Sequence, residues 1–237
     1  MNGENSIYEF GNGILVHRGD LLEEQVARYT LPGNSNLHEP VEEDWLRRLV
    51  AGIAADKAVF IDIGAGIGYY SILVKKLRPR SQVFAVEPLP RHIEACKRNF
   101  VLNDLPEPPV TIVPAAIATT SGSALLTDGG YGSHLTPAPG ASAITVDTMT
   151  LADLVALTGA PVNIVKIDIQ GYERDVLQES RGVLSSGMLD YLVVGTHSAG
   201  IHRDIRTLLE DCGTVMFDDP APAFQPDGLI VADLRRL

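Results

Sequence analysis

Phe60-Ile61-Asp62-Ile63-Gly64-Ala65-Gly66-Ile67-Gly68-Tyr69-Tyr70 is the stretch on which the fold turns. A short apolar run over residues 59–63 gives way to glycines at 64, 66 and 68. It then passes into YYSILVKKLR, whose apolar positions recur with helical spacing. Strand, glycine turn and helix in that order form the edge at which open α/β sheets hold their ligands. A dinucleotide turn needs G-x-G-x-x-G, with its third glycine at position 69, where Tyr69 stands instead. The spacing is G-x-G-x-G, with Asp62 two residues ahead of it.

Outward from this turn the chain alternates. QVFAVEP predicts a second strand and PRHIEACKRNFVLND its helix, and VTIVPAAIA predicts a third strand. NIVKIDI and YERDVLQESRGVL form the next pair, and LDYLVVGTHS and IHRDIRTLLEDCG the one after, with Gly213 closing the helix. TVMFDD and GLIVADL follow as two strands joined by PAPAFQPDG, an antiparallel hairpin at one edge. These runs imply a seven-stranded, mostly parallel sheet with helices on both faces, a doubly wound α/β domain over residues 51–237. SALLT and AITVDT flank a stretch rich in Gly, Pro and Ser and predict a β-ribbon insertion around 121–147, followed by a helix with Thr150 as its N-cap. Residues 1–50 read as a small N-terminal cap, with strands at SIYEF and GILVHRG and a helix at PVEEDWLRRLVAGIA.

The chain has 237 residues, 45% apolar and 21% charged, enough for a full core. Lys and Arg number 19 against 30 Asp and Glu, a net charge of −11. A chain this acidic repels phosphate backbones and anionic lipid, which disfavours nucleic acid and membrane and favours a small-molecule partner. Cys96 and Cys212 have no metal spacing and read as buried or half-buried thiols of a reducing compartment. MNGENSIYEF lacks the basic start and apolar run of a secretion signal. Residues 108–127, though uncharged, are interrupted by Pro, Ser, Thr and Gly. A cytoplasmic location is expected.

Asp62 suits a ligand that brings an ammonium or other donor and repels a pyrophosphate. Glu87, closing the second strand, is placed to accept hydrogen bonds from both hydroxyls of a ribose. Glycines that admit an amino-acid moiety, with an acid for ribose, describe S-adenosyl-L-methionine and count against an NAD(P)-linked oxidoreductase. Bases for methyl transfer belong at the carboxyl ends of strands beside the cofactor, where Asp168 and His197 stand. An imidazole near its ordinary pKa of about 6.5 is the better matched of the two. Lys166 shares a strand face with Asp168 and reads as half of an ion pair, Glu173 as support for its helix start, and Trp45 as core. His17, His92, His134 and His202 read as surface groups. Asp168 has no adjacent acid or Asn and no His/Cys cluster is visible, so no metal is expected.

FIDIGAGIGYYS, EPLPRHIEACKRNF, MTLADLV and VKIDIQGYERDVL together resemble the FkbM-type class I S-adenosylmethionine-dependent methyltransferases, in order across roughly residues 40–215. The resemblance implies a Rossmann-like fold. Many members are O-methyltransferases of natural products or sugars, so it also implies methylation of a hydroxyl on a small acceptor by in-line transfer, with S-adenosyl-L-homocysteine as product. Asp168 and His197, together or singly, then serve as general base. The resemblance implies cofactor contacts from Asp62, Gly64, Ala65, Gly66, Gly68, Tyr70, Glu87, Pro88, Ala116 and Asp168, and substrate contacts from His38, Gln170 and Tyr172. N-methylation through the same site, cofactor binding without catalysis, and a homodimer stay open. Three positions depart from the family pattern. Gly66 stands where Asn is usual, Gln170 where Glu is frequent, and Gly195 where an acid often precedes the histidine by two residues. The acceptor pocket is expected from residues 25–45 and 128–142, with GGYGSHLTPAPG as a lid.

Overall fold

Two short antiparallel strands, β1 (Ile7–Glu9) and β2 (Leu15–His17), open the chain in the computed structural model, which describes residues 6–54, 58–127, 129, 134–136 and 143–235. Helices α1 (Glu23–Tyr29) and α2 (Pro40–Gly52) follow. The alternation then begins: β3 (Val59–Ile63), α3 (Tyr69–Leu77), β4 (Gln82–Val86), α4 (Pro90–Leu102) and β5 (Thr111–Val113). Next come β6 (Ala116–Ile117), β7 (Gly122–Thr127), β8 (His134–Thr136), β9 (Ala143–Met149) and α5 (Leu151–Thr158). The chain closes with β10 (Val162–Ile167), α6 (Glu173–Glu179), α7 (Arg181–Leu184), β11 (Leu189–Thr196), α8 (Ala199–Cys212), β12 (Thr214–Asp219) and β13 (Gly228–Asp233).

The main sheet has seven strands in the order β12-β13-β11-β10-β3-β4-β5. β11, β10, β3, β4 and β5 run parallel, while β13 pairs antiparallel with both β11 and β12. Its inner strands are buried on both faces because helices cover both, while the edge strands β12 and β5 are partly exposed. Ile61, Ile63, Val165, Ile167, Leu192 and Val194 face a core with Leu154, Val176, Leu177, Ile205 and Leu209. Phe60, Ile164 and Val193 face the opposite core, with Leu46, Leu49, Ile72 and Leu73. The period-two alternation of a strand divides neighbouring residues between these cores. Asp62 and Lys166 are cross-strand partners and fall on the second face, under α2 and α3. Phe10, Ile14, Val16 and Tyr29 join that same core, so the N-terminal elements and the sheet share one apolar interior.

Local chemistry accounts for the boundaries. Thr150 accepts the Asp153 backbone N–H at 3.1 Å and starts α5. Gly213 ends α8 in extended backbone, φ −170°, and not in the left-handed form common after helices. Glycine is required there because a Cβ would lie 2.2 Å from the Asp233 carbonyl oxygen. Several elements differ from the sequence expectation. The run VTIVPAAIA splits at Pro114 into β5 and β6, and the helix over YERDVLQESRGVL divides at Ser180 into α6 and α7. The expected ribbon is a four-stranded sheet of order β6-β9-β7-β8 that begins at Ala116. Helix α1 was not anticipated, although Glu23 and Glu24 in its first turn and Gln25 reaching back to the Leu22 N–H at 2.9 Å are ordinary start signals. Most of the expected lid at 129–140 lies outside the described residues.

Candidate active site

The strand order reverses between β3 and β10, and a cavity of about 400 Å³ opens at the carboxyl ends of the strands there. Gly64, Gly66 and Gly68 carry φ values of 77°, 56° and 84°, the left-handed region. At Gly64 a Cβ would stand 1.8 Å from the Asp168 carbonyl oxygen, so the glycine turn is pressed directly onto the end of β10. At Gly68 a Cβ would stand 2.5 Å from the Phe100 ring, and its absence lets α3 pack closely on α4. Gly66, at φ 56°, occupies a left-handed conformation that asparagine also tolerates.

Gly64, Ala65, Gly66, Tyr70, Glu87, Pro88, Ala116, Asp168, His38, Gln170 and Tyr172 line the cavity. Asp62, Gly68 and His197 stand behind its wall. The Asp62 side chain is engaged within the protein: Oδ2 accepts the Ser71 N–H at 3.0 Å and the Ser71 hydroxyl at 2.7 Å, fixing the first turn of α3. Burial raises its pKa, partly offset by Lys166 and Ser71. Glu87, 5% exposed, accepts the Gly66 N–H through Oε2 and the Leu89 N–H through Oε1, each at 2.9 Å. The carboxylate is thereby held rigidly at the cavity wall, with lone pairs left for a diol. The lining of Leu89, Ala116, Ile117, Leu126 and Leu135 supplies apolar surface of the kind a purine base needs.

The acidic end of the cavity is organised around two cations. The Lys166 ammonium, 1% exposed, lies 3.6 Å from both Glu42 and Asp168 and 4.8 Å from the Tyr70 ring centre. Burial opposes its charge, but Glu42, Asp168, Asp62 and Glu39 outweigh burial and keep it protonated. The second cation is His197. Its Nδ1 lies 2.8 Å from Glu173, and its Nε2 lies 3.3 Å from Asp168 and 3.6 Å from Asp227. Burial opposes protonation here too, yet contacts with Asp168 and Glu173 push the pKa up to about 10. At neutral pH His197 is an imidazolium without a free lone pair, which corrects the expectation that it acts as a base. Asp168 is driven the other way: burial raises its pKa, but Lys166 and His197 hold it well below the usual carboxylate range.

Asp227 was missed in sequence. Burial pushes its pKa up to about 6, with His197 opposing and Asp168, Glu39 and Glu173 assisting. It lines the cavity beside Asp168. The signal was the turn QPDG ahead of the last strand. β13 runs antiparallel to β11 with Gly228 opposite Thr196, so the residue before Gly228 meets the residue after Thr196, which is His197.

Asp168, Glu173 and His197 bring donor atoms within 4.8 Å of one another, a mixed carboxylate and imidazole group assembled by the fold and different from the His/Cys cluster that the sequence lacks. The acids approach opposite nitrogens of the imidazole ring, and the cluster is an ion-paired one to which we assign no metal. Glu173 also accepts the Ile169 and Gly171 N–H groups at 3.0 Å, bracing the loop after β10. Gly195 lies directly beside Asp168, and a Cβ there would stand 3.4 Å from the Asp168 carboxyl carbon, an ordinary van der Waals contact. Two histidines read as surface groups are buried. His92 lies 3.5 Å from Glu87, and His202 bridges the Thr196 hydroxyl at 2.7 Å and Asp218 at 2.6 Å. Trp45 is half-buried against Phe217.

Residues 62–216 match the model of the methyltransferase FkbM domain. The chain belongs to the FkbM methyltransferase family. Among curated relatives of this FkbM-domain chain, the hexuronic acid methyltransferase AglP of Haloferax volcanii is 25% identical over 176 residues, spanning 72% of this chain and 68% of its own. The methyltransferase sdnD of Sordaria araneosa is 25% identical over 213 residues, spanning 74% and 80%. Solved structures share the fold. An rRNA methylase from Streptococcus thermophilus superposes with a TM-score of 0.53 at 10% identity, over 81% of this chain and 95% of that one. The ribosomal protein L11 methylase of Lactobacillus delbrueckii subsp. bulgaricus gives 0.50 at 12%, over 84% and 80%. Among the described residues, no helix of this methyltransferase is long and apolar enough to cross a membrane.

Proposed function

We propose that this FkbM-family chain is a cytoplasmic enzyme that transfers the methyl group of S-adenosyl-L-methionine to a hydroxyl of a small acceptor, a sugar or natural product. The observation that carries the reading is one cavity holding, in sequence order, a glycine turn, a rigid acid at Glu87 and two further acids, Asp168 and Asp227. The donor set fits the cofactor: the turn is free of side chains where an amino-acid moiety needs space, and Glu87 faces the place of a ribose. The AglP relative, named for a hexuronic acid acceptor, supports a sugar over an amine.

When bound, the cofactor supplies a methyl on a sulfonium, already an excellent leaving group, so the chain's work is alignment and proton removal. Asp168, kept ionised by Lys166 and His197, accepts a hydrogen bond from the acceptor hydroxyl and orients it. Asp227, with its pKa near neutrality, is the better matched proton acceptor of the pair. His197 and Lys166 are positioning residues that hold these carboxylates in place.

Calorimetric titration with S-adenosylhomocysteine and, separately, NAD tests the cofactor. Micromolar binding of the first alone, weakened at least tenfold in Glu87→Gln, is expected. Absence of S-adenosylhomocysteine binding overturns the proposal. A mass-spectrometric screen of sugars, uronic acids and amines, looking for a 14 Da gain that depends on S-adenosylmethionine, then separates O- from N-transfer.

A further inference from the structure

Arg28 sits in the last turn of α1 and lines the cavity. Its side chain makes no hydrogen bond or ion pair among the described residues, and its Nε is shielded from solvent without a partner. Its recorded contact is with an apolar surface, the guanidinium carbon lying 5.5 Å from the Tyr29 ring centre. The Lys166 ammonium on the same cavity wall is matched, by Glu42 and Asp168. The acids Glu39 and Glu87 are likewise occupied, by the Tyr70 hydroxyl and by backbone N–H groups. In a chain of net charge −11, where acids outnumber basic residues 30 to 19, an arginine left unmatched on a cavity wall is a conspicuous exception. A half-buried guanidinium without an acid carries an uncompensated desolvation cost, and its planar fork matches a carboxylate with two parallel hydrogen bonds. Neighbouring groups fix where that ligand would lie. The Tyr29 hydroxyl meets His38 Nδ1 at 2.6 Å, and His38 is near enough to feel the charges of both Arg28 and Asp168.

We infer that Arg28 is the carboxylate-binding residue of this cavity, holding either the amino-acid end of the cofactor or an acidic group on the acceptor. The inference rests on the cavity being the cofactor and acceptor site. The two sources share one chemistry, and ligand choice tells them apart. S-adenosylhomocysteine carries the carboxylate, 5′-methylthioadenosine lacks it, and D-glucuronate offers one on a sugar.

Wild type, Arg28→Met and Arg28→Lys are titrated calorimetrically with all three ligands, D-glucuronate both with and without saturating S-adenosylhomocysteine. Met keeps the alkyl stem that packs on Tyr29, and Lys keeps the charge without the fork. Thermal unfolding of each variant confirms that it is folded. Loss of tenfold or more in S-adenosylhomocysteine affinity in Arg28→Met, with 5′-methylthioadenosine unchanged and Arg28→Lys intermediate, places the cofactor's carboxylate on Arg28. Unchanged S-adenosylhomocysteine binding with loss of D-glucuronate binding places the acceptor's carboxylate there. If neither carboxylate ligand is weakened by Arg28→Met, the inference is overturned. A wild type that binds no S-adenosylhomocysteine overturns the proposed function instead, and D-glucuronate titrated into the free protein then decides Arg28 alone.

Discussion

Asp168, Glu173 and Asp227 surround one imidazole, and the pH behaviour of the molecule follows from that sharing. His197 carries a folded-state pKa of about 10 against an unfolded value of about 6.5. A raised histidine contributes its full stabilisation below the unfolded pKa and loses it as pH climbs through the folded one. The melting temperature of wild type should therefore fall between about pH 6.5 and 10 more steeply than that of His197→Gln. The variant should be less stable at neutral pH, because it leaves the buried Glu173 without its cation and half-buried Asp168 with Lys166 alone. Parallel slopes for the two proteins would exclude a shared imidazolium. Asp227 gives an independent check, since its carboxyl should titrate near pH 6 by carbon-13 NMR. In His197→Gln its pKa should move upward, because the neighbouring positive charge that lowers it is gone. A titration near 4 in wild type would remove Asp227 as the matched proton acceptor.

At the level of elements, the glycine turn is the part whose substitution is most informative. Gly64→Ala puts a methyl 1.8 Å from the Asp168 carbonyl oxygen in a backbone conformation that costs an L-residue roughly 1–2 kcal/mol before any collision. The expected outcome is a lower melting temperature together with loss of S-adenosylhomocysteine binding, because the turn and the end of β10 must separate. Gly52→Ala, in open space at the end of α2, is the control and should hold or raise stability by up to about 1 kcal/mol. Equal effects at the two glycines would contradict the close approach. This turn was legible in sequence because its glycine spacing is local, and so were the strands with continuous apolar runs and the Thr150 cap. What could not be read locally depends on tertiary register. Asp62 and Ser71 meet because α3 folds back over β3, Asp227 reaches His197 through the β11–β13 pairing, and Arg28 faces the cavity only once α1 is placed. His197 reads differently in sequence for a related reason: its ordinary pKa belongs to an isolated imidazole, and the acids that raise it, Asp168 and Glu173, follow β10 and meet it only because β10 and β11 are paired.

Across the whole molecule, the N-terminal cap and the sheet are expected to melt together. Leu46 of α2 is fully buried in the cluster that also holds Phe10 and Tyr29 from the cap and Phe60 and Val193 from the sheet. Lys166 on β10 and Glu42 on α2 add a buried ion pair across the same interface. A region that shares its apolar interior with the rest of the fold cannot open without exposing both partners, which is the condition for cooperative unfolding. Leu46→Ala should cost about 2–5 kcal/mol. Because Trp45 is the single tryptophan and packs from α2 against Phe217 of β12, its fluorescence reports the cap-to-sheet boundary, whereas far-ultraviolet circular dichroism reports the whole chain. In urea, both signals should shift to lower denaturant by the same amount in Leu46→Ala and remain superimposable. A fluorescence transition that precedes the dichroism transition would mean that the cap opens on its own, with Arg28 and His38 leaving the cavity while the sheet stays folded.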